Sequence, residues 1–137
     1  MTIKGIRCLL LAAIAVNMPM GEPAFAAASQ QPDGQQVYVR EGCQVCHGGM
    51  GRGGVGPSFV GDRLLALPDY VVTRILIGGG EMPAFEDKIS DAEIAAVANY
   101  IRTTWGDQPG NITARQITAE RKKLSKEASK EASKQPK

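Results

Sequence analysis

The five residues Cys43-Gln44-Val45-Cys46-His47 decide the fold of this 137-residue chain. The chain has three cysteines and one histidine, and two of those cysteines stand three positions apart with the histidine directly after them. On a helical turn, residues i, i+3 and i+4 share a face. The two sulfurs and the imidazole are therefore predicted to lie on one side of a short helix, where together they can hold a flat group.

This C-x-x-C-H spacing is the attachment signature of c-type haem. Cys43 and Cys46 are expected to bond covalently to two vinyl groups along one porphyrin edge, and His47 is expected to ligate the iron from the proximal side. Chance would place such a motif in a chain of this composition with odds on the order of 1 in 2,000. We therefore predict one covalently attached haem c.

Three other uses of a C-x-x-C pair fit less well. A thioredoxin-like motif needs a βαβ context, which the sequence does not provide. A structural zinc site needs four ligands, whereas only Cys43, Cys46 and His47 are available without recruiting a carboxylate. A disulfide, the ordinary expectation for an exported chain, would leave the adjacent histidine unexplained.

The second axial position on the iron is predicted to be taken by Met82. Met50 lies only three residues after His47, too near in sequence to reach the opposite face of the ring. Met82 precedes Pro83, which holds it out of the helical region, and follows closely on three glycines. The alternative is that Met82 merely fills space in the core. A thioether opposite an imidazole stabilises ferrous iron, which suits an electron carrier and leaves no position for a substrate.

The first 26 residues have the pattern of a cleaved secretory signal peptide. Lys4 and Arg7 form a positive start, residues 8–18 form a short apolar stretch, and the small residues within 24–26 offer a cleavage site. This apolar stretch is too short to span a bilayer, so no membrane span is expected. The mature protein is therefore predicted to be exported, to the periplasm of a Gram-negative host.

Charge is unevenly distributed along the chain. Residues 27–112 carry six Lys and Arg against ten Asp and Glu, a net charge of −4, and are predicted to form the haem domain. Residues 113–137 carry eight against three, a net charge of +5, and form a Lys/Glu/Ala/Ser-rich tail that is predicted to be disordered or a fraying helix. Three roles stay open for this tail: none beyond solvation, an aid to solubility, or salt-sensitive binding to an acidic partner or anionic lipid.

The clearest helix is predicted over residues 91–105. Ser90 and Glu93 form a capping box at its start, and Gly106 ends it. Its apolar residues recur at helical spacing along one face, and they are Ile94, Val97, Ala98, Ile101 and Trp105.

The secondary structure of three segments before this helix is indicated less clearly by the sequence. Asp33 is a predicted N-cap for a short helix that leads toward the C-x-x-C-H motif. Residues 48–57 hold six glycines and are predicted to form a loop. Residues 70–77 favour a strand through their β-branched side chains, but their length and the glycines that follow favour a helix. Together these elements provide a small apolar core, so an additional stabilising group such as a cofactor is expected.

Over residues 33–105 the chain resembles the class I monohaem c-type cytochromes. The shared features are the C-x-x-C-H motif near the start, Gly56-Pro57, Met82-Pro83 and a final amphipathic helix. The resemblance implies an all-α, cytochrome c-like fold in which three main helices wrap around one covalently attached haem. It also implies that residues 70–77 are helical.

The resemblance further implies particular contacts. The first and last helices of the family cross with a glycine and an aromatic residue at their contact, and Gly34, Tyr38 and Tyr100 stand at suitable positions. The carbonyl of Pro57 would accept the N–H of His47 and so fix its tautomer. Four further side chains are candidates to contact the haem propionates, namely Arg52, Arg63, Arg74 and Trp105.

These observations indicate an exported, monomeric single-electron carrier rather than an enzyme. It would shuttle electrons between a donor dehydrogenase and an acceptor oxidase or reductase, through brief contacts steered by charge. The alternatives are a fixed electron-accepting subunit of an oxidoreductase complex, which the basic tail favours, and a haem-based gas or redox sensor. A nucleic-acid partner is not expected, since Arg52-Gly53-Gly54 is a single copy in an acidic body.

Overall fold

The computed structural model describes residues 31–134, which form an all-α structure. The helices are α1 Gly34–Arg40, α2 Cys43–His47, α3 Pro68–Ile77, α4 Asp91–Trp105 and α5 Ala114–Ala132, with a short 3-10 helix at Arg63–Ala66. The all-α prediction is confirmed, whereas the predicted signal peptide of residues 1–26 lies outside the described residues. Among residues 31–134, no helix is apolar over a length sufficient to cross a bilayer.

The crossing of α1 and α4 brings the two ends of the predicted haem domain together. The carboxylate of Asp33 caps α1 as predicted, accepting the backbone N–H of Gln35 at 2.8 Å. A Cβ atom on Gly34 would lie 2.6 Å from Cβ of Tyr100 and closer still to the carbonyl oxygen of Ala96. Glycine is therefore required for the two backbones to approach this closely.

α4 begins and ends where the sequence predicts. The hydroxyl of Ser90 accepts the backbone N–H of Glu93, and the Glu93 carboxylate accepts the backbone N–H of Ser90, which completes the capping box. Gly106 follows as the C-cap. The predicted apolar face lies in the core, with its buried members Ile94, Val97, Ala98 and Ile101.

Arg102 is an exception to the apolar pattern of α4, since this cation is only 2% exposed. Its Nε donates to the carbonyl oxygen of Leu65 at 2.9 Å, and its Nη1 donates to that of Pro109 at 2.9 Å. A buried guanidinium needs such acceptors to offset the loss of water. Arg102 thereby ties the 3-10 helix and the segment after α4 to the core.

The ambiguity over residues 70–77 is resolved as a helix. Pro68 occupies the first turn of α3, where its missing N–H costs nothing, and Gly78 ends the helix with φ of 68°. One face of α3 is buried in the core, through Val71, Val72, Ile75 and Leu76. The burial of this face outweighs the strand preference of the β-branched residues, which is a weak local bias.

The basic tail, predicted to be disordered or a fraying helix, is helical over Ala114–Ala132. Thr113 and Gln116 form a capping box, and α5 then continues without a break over 19 residues. Ile117 is fully buried, and Leu124 packs against the core from its edge. The prediction of disorder rested on the low apolar content of the segment. Two apolar side chains on the same face of the helix are sufficient to dock it, because the rest of the core already exists.

Polar contacts complete the docking of α5. The guanidinium of Arg121 pairs with the carboxylate of Asp91 at the start of α4 and donates to the backbone carbonyl of Ile89. Thr118 donates to the same carboxylate, and Thr73 on α3 donates to Glu120 at 3.1 Å. α5 is therefore held against both α3 and α4, as a fourth long helix beside the three that the family resemblance implies.

We expect the Asp91 contact to make stability depend on acid pH. Partial burial opposes ionisation, but hydrogen bonds from Thr118 and Arg121 outweigh it and hold the pKa of Asp91 below its usual value. A carboxyl with a lowered folded-state pKa stabilises the fold above the unfolded pKa and loses that effect as pH falls through the folded pKa. Asp91→Asn should therefore lower the free energy of unfolding by about 1 kcal/mol at pH 7.

Urea denaturation at pH 7 and near pH 3 checks this expectation. The difference between wild type and Asp91→Asn should shrink as wild-type Asp91 itself becomes protonated. Asp87→Asn, an exposed carboxyl on the loop before α4, is the matched control and should leave stability unchanged at both pH values. An equal loss for Asp91→Asn at the two pH values would show that the charge of Asp91 is irrelevant.

Candidate functional site

A cavity of about 520 Å³ lies between α2, α3, α4 and the loops that connect them. Its size falls in the range of roughly 300–1,000 Å³ that is usual for cofactor sites. Most of its walls are apolar, with Phe59, Leu65, Val71, Ile75, Phe85 and Ile101 among them. The cavity occupies the place where a larger domain would have core side chains, which accounts for the thin core expected from the sequence.

The C-x-x-C-H motif forms the whole of α2. The helix starts after Gly42, which has φ of 75°, and ends at Gly48, with φ of 79°. Cys43, Cys46 and His47 all line the cavity, as their spacing on one helical face predicts. Burial raises the pKa of the Cys43 thiol to about 11, so an unmodified Cys43 is a neutral thiol at physiological pH.

His47 is held rigidly at the cavity wall, where it is 7% exposed. Its Nδ1 lies 2.9 Å from the carbonyl oxygen of Pro57, so Nδ1–H donates and Nε2 keeps its lone pair for a metal. The ring of Phe59 stacks on the imidazole with centroids 4.3 Å apart. A Cβ on Gly56 would lie 3.0 Å from Cε1 of His47, so this loop glycine leaves space for the ring.

Met82 also lines the cavity, from the loop between α3 and α4. A tight turn holds it there, since the backbone N–H groups of Gly79 and Met82 each donate to the carbonyl oxygen of the other, at 3.0 and 3.2 Å. Met50, the other methionine of the described chain, is 69% exposed and is not part of the cavity wall. The structure therefore brings Met82, and not Met50, to the same cavity as His47.

An aromatic cluster fastens the loop after the motif to α4. The hydroxyl of Tyr38 donates to the carbonyl oxygen of Gly48 at 2.8 Å, and burial raises the pKa of Tyr38 to about 12. Its ring lies 5.6 Å from that of Tyr100 and 5.3 Å from that of Trp105, measured between centroids. A Cβ on Gly51 would lie 2.5 Å from Cε2 of Trp105, so the loop packs directly on the indole.

Of the four residues predicted as candidate contacts of the haem propionates, one lines the cavity. Arg74 lines the cavity, with its guanidinium 5.5 Å from the centroid of the Tyr70 ring. Arg52, Arg63 and Trp105 are absent from the cavity wall. Sequence reasoning missed Phe59, because nothing in the pattern around it signals a residue that stacks on the histidine.

Comparison with known proteins agrees with this site. The family model described as "Cytochrome C oxidase, cbb3-type, subunit III" matches residues 29–101, just over half of the chain. The chain belongs to the monohaem c-type cytochromes. Cytochrome c6 of Picosynechococcus sp. is 34% identical to this cytochrome over 111 residues, covering 72% of this chain and 92% of that protein.

Two further relatives differ in length. Cytochrome c-552 of Thermus thermophilus is 31% identical over 134 residues, covering 71% of this cytochrome and 88% of itself. The cytochrome c subunit of alcohol dehydrogenase (quinone) from Gluconacetobacter polyoxogenes is 34% identical over 102 residues, covering 62% of this chain. The chain matches only 21% of the length of that larger subunit.

The cofactor of this cytochrome is one haem c, as predicted. The donor set at the cavity fits that group, since it combines two cysteine sulfurs and an imidazole on α2 with an apolar volume and a thioether from Met82. The family to which the chain belongs is one of electron-transfer proteins. α5 lies entirely beyond the residues that the family model matches.

Proposed function

We propose that this cytochrome is an exported single-electron carrier whose haem iron is ligated by His47 and Met82. It takes electrons from a donor dehydrogenase and passes them to an oxidase or reductase. One observation carries the proposal, which is that His47, Met82, Cys43 and Cys46 all line the same cavity. When bound there, haem c supplies a reversible couple between ferric and ferrous iron.

The chain's own residues prepare this site for electron transfer alone. Pro57 holds the Nδ1–H of His47, so that the imidazole presents Nε2. The turn at Gly79 positions the Met82 thioether, which as a soft ligand raises the reduction potential. His47 and Met82 would together hold the iron from its two sides, which would leave no position for oxygen or a substrate.

Exposed residues at the rim of the cavity supply the place for partners to approach. Five residues both line the cavity and are exposed to solvent, and they are Val55, Pro57, Tyr70, Glu81 and Pro83. Electron-transfer partners bind through small interfaces of this kind, where charge steers the encounter more than it holds the complex. The segment of residues 1–26 supports export, and we propose a periplasmic location on that ground.

A second candidate function is that of a dedicated cytochrome subunit within an oxidoreductase complex. The similarity to the cytochrome c subunit of alcohol dehydrogenase (quinone) favours it, as does the added helix α5. A dedicated subunit should co-purify with its dehydrogenase at high salt, whereas a free carrier should elute alone. A gas or redox sensor, the third candidate, requires an open or displaceable sixth position on the iron.

Replacing Met82 tests the proposed ligation. In Met82→Ala the thioether is lost, so the reduction potential should fall by at least ~0.1 V, within the roughly 0.8 V range that axial ligands control. Carbon monoxide should bind the ferrous variant readily at neutral pH and the wild type very little. Potentiometric titration and the visible and near-infrared spectra measure both effects.

Met50→Ala is the matched control, because it removes the exposed methionine that lies outside the cavity wall. This variant should keep the wild-type potential, spectra and resistance to carbon monoxide. If Met82→Ala had wild-type spectra, the assignment of Met82 as ligand would be wrong. Ready binding of carbon monoxide by the wild type would instead favour the sensor.

A further inference from the structure

The outer surface of α5 carries a row of cations. Four exposed cations of this helix form the row, namely Arg115, Lys122, Lys126 and Lys130. They are spaced seven, four and four residues apart, which places them on one side of the helix. We call these four residues the basic face. At a rise of 1.5 Å per residue it extends over about 22 Å. We propose that the basic face binds the surface of an anionic phospholipid bilayer.

Two of the three acidic residues of α5 lie away from the basic face. Glu120 points inward, where it accepts a hydrogen bond from Thr73 and pairs with Lys123. Glu131 lies about 140° around the helix from Lys126, since each residue adds about 100°. Glu127, by contrast, lies beside Lys130 at one edge of the face. Within residues 31–134, the ion pairs present involve none of the four cations of the basic face.

The opposite side of α5 is fixed to the protein. Ile117 is fully buried, Leu124 packs on the core, and Arg121 pairs with Asp91 of α4. The cations are therefore displayed in a row of fixed direction rather than on a flexible arm. Because its apolar side chains are already used in this docking, α5 has none left to insert into lipid and can only lie on a charged surface.

The basic face is separate from the site of electron transfer. Thr73 of α3 contacts α5, whereas Val71 and Ile75, each two residues away from it, line the cavity. Two residues correspond to about 200° around a helix, so these two cavity residues face away from α5, while Tyr70 and Arg74 line the cavity from positions nearer to Thr73. No residue of α5 lines the cavity. A bilayer bound at α5 would therefore leave the cavity rim open to a redox partner.

The chemistry of the face favours lipid over a protein partner. Three of its four cations are lysines, whose compact charges suit a diffuse negative surface, whereas the arginine fork suits individual carboxylates. The exposed residues between them, Ala119 and Ser129, are small, and protein hot spots are instead rich in Trp, Tyr and Arg. Clusters of four to eight basic residues on a helix are typical of binding to anionic headgroups.

Sedimentation with lipid vesicles tests this inference on the haem-loaded protein without the predicted signal peptide of residues 1–26. Wild-type protein should pellet with vesicles made of equal parts phosphatidylglycerol and phosphatidylcholine at ~0.05 M NaCl. It should stay in solution with pure phosphatidylcholine, and at ~0.5 M NaCl the anionic vesicles should also release it. The variant Lys122→Gln/Lys126→Gln/Lys130→Gln should partition about 100-fold more weakly, at roughly fivefold per lysine.

A second triple variant, Gln35→Glu/Lys88→Gln/Thr104→Glu, controls for total charge. It lowers the net charge by the same three units at exposed positions outside α5, and it should bind anionic vesicles within about threefold of wild type. Equal losses in the two variants would overturn the proposal, as would wild-type protein that stays in solution. Retention on immobilised polyglutamate without vesicle binding would overturn it in favour of an acidic protein. The visible haem spectrum should be unchanged in every variant.

Discussion

Protein in which both Cys43 and Cys46 are replaced by alanine is expected to lose its haem to acid–acetone and to unfold once the haem has gone. The wild-type haem should resist this extraction completely, because thioether bonds hold it. The proposed ligands His47 and Met82 would form only reversible bonds to iron, so the haem of the double variant would depend on those bonds and on apolar contact. Absorbance of the extracted protein and circular dichroism at 25 °C measure the two outcomes.

The size of the cavity explains why loss of haem should be so damaging. An unfilled cavity costs about 24 cal/mol per Å³ of its volume. The cavity has a volume of about 520 Å³, so even a fraction of that cost is large beside the whole stability of about 5–15 kcal/mol that a small domain has. The haem is therefore expected to be a major part of the core, and the chain without it should not remain folded.

Val45→Ala is the control for this experiment. Val45 stands between the two cysteines but is 76% exposed, so its replacement should leave both attachment and stability near wild type. Retention of haem by the cysteine double variant after acid–acetone treatment would contradict covalent attachment at these two sulfurs. A colourless wild type, matured in a competent host, would contradict the presence of the haem itself.

Replacing Gly34 by alanine should destabilise the haem-loaded protein by about 3 kcal/mol, the upper end of the usual cost of overpacking. The added Cβ would lie 2.6 Å from Cβ of Tyr100 and closer still to the backbone oxygen of Ala96, which cannot rotate away. α1 and α4 would have to separate to admit it. Helix propensity alone predicts the opposite sign, since alanine is the better helix former by up to about 1 kcal/mol.

Gly49→Ala is the matched control for Gly34→Ala. A Cβ at Gly49 would meet no atom within 4 Å, so this variant should have nearly wild-type stability. Guanidinium denaturation of the two haem-loaded variants, followed by far-ultraviolet circular dichroism, gives the comparison. If Gly34→Ala were as stable as Gly49→Ala, the close crossing of α1 and α4 would not be the reason for glycine at residue 34.

Local patterns predicted the elements whose determinants are close together in the chain. The limits of α4 follow from the capping box of Ser90 and Glu93 and from Gly106, all within two residues of the helix ends. The placement of Cys43, Cys46 and His47 on one helical face follows from spacing alone. In each case the interacting groups are neighbours in sequence, so their geometry does not depend on the rest of the fold.

Other features had no local signal. Phe59 stacks on His47, and Arg102 is buried, only because segments far apart in sequence meet around them. α5 appeared from composition to lack the apolar surface for folding, yet Ile117 and Leu124 suffice once α3 and α4 provide a surface for them. Helix formation there depends on tertiary contact rather than on propensity.

The sequence by itself determined that this protein is a helical haem protein, because the attachment motif, the helix caps and the spacing of apolar residues are properties of short segments. Only the tertiary structure decided that Phe59 stacks on His47, and that α5 packs on the core with its lysines outward. Those outcomes depend on which surfaces from distant parts of the sequence meet. The hydrophobic effect is non-directional, so the apolar surfaces that become buried are determined only when the whole core assembles.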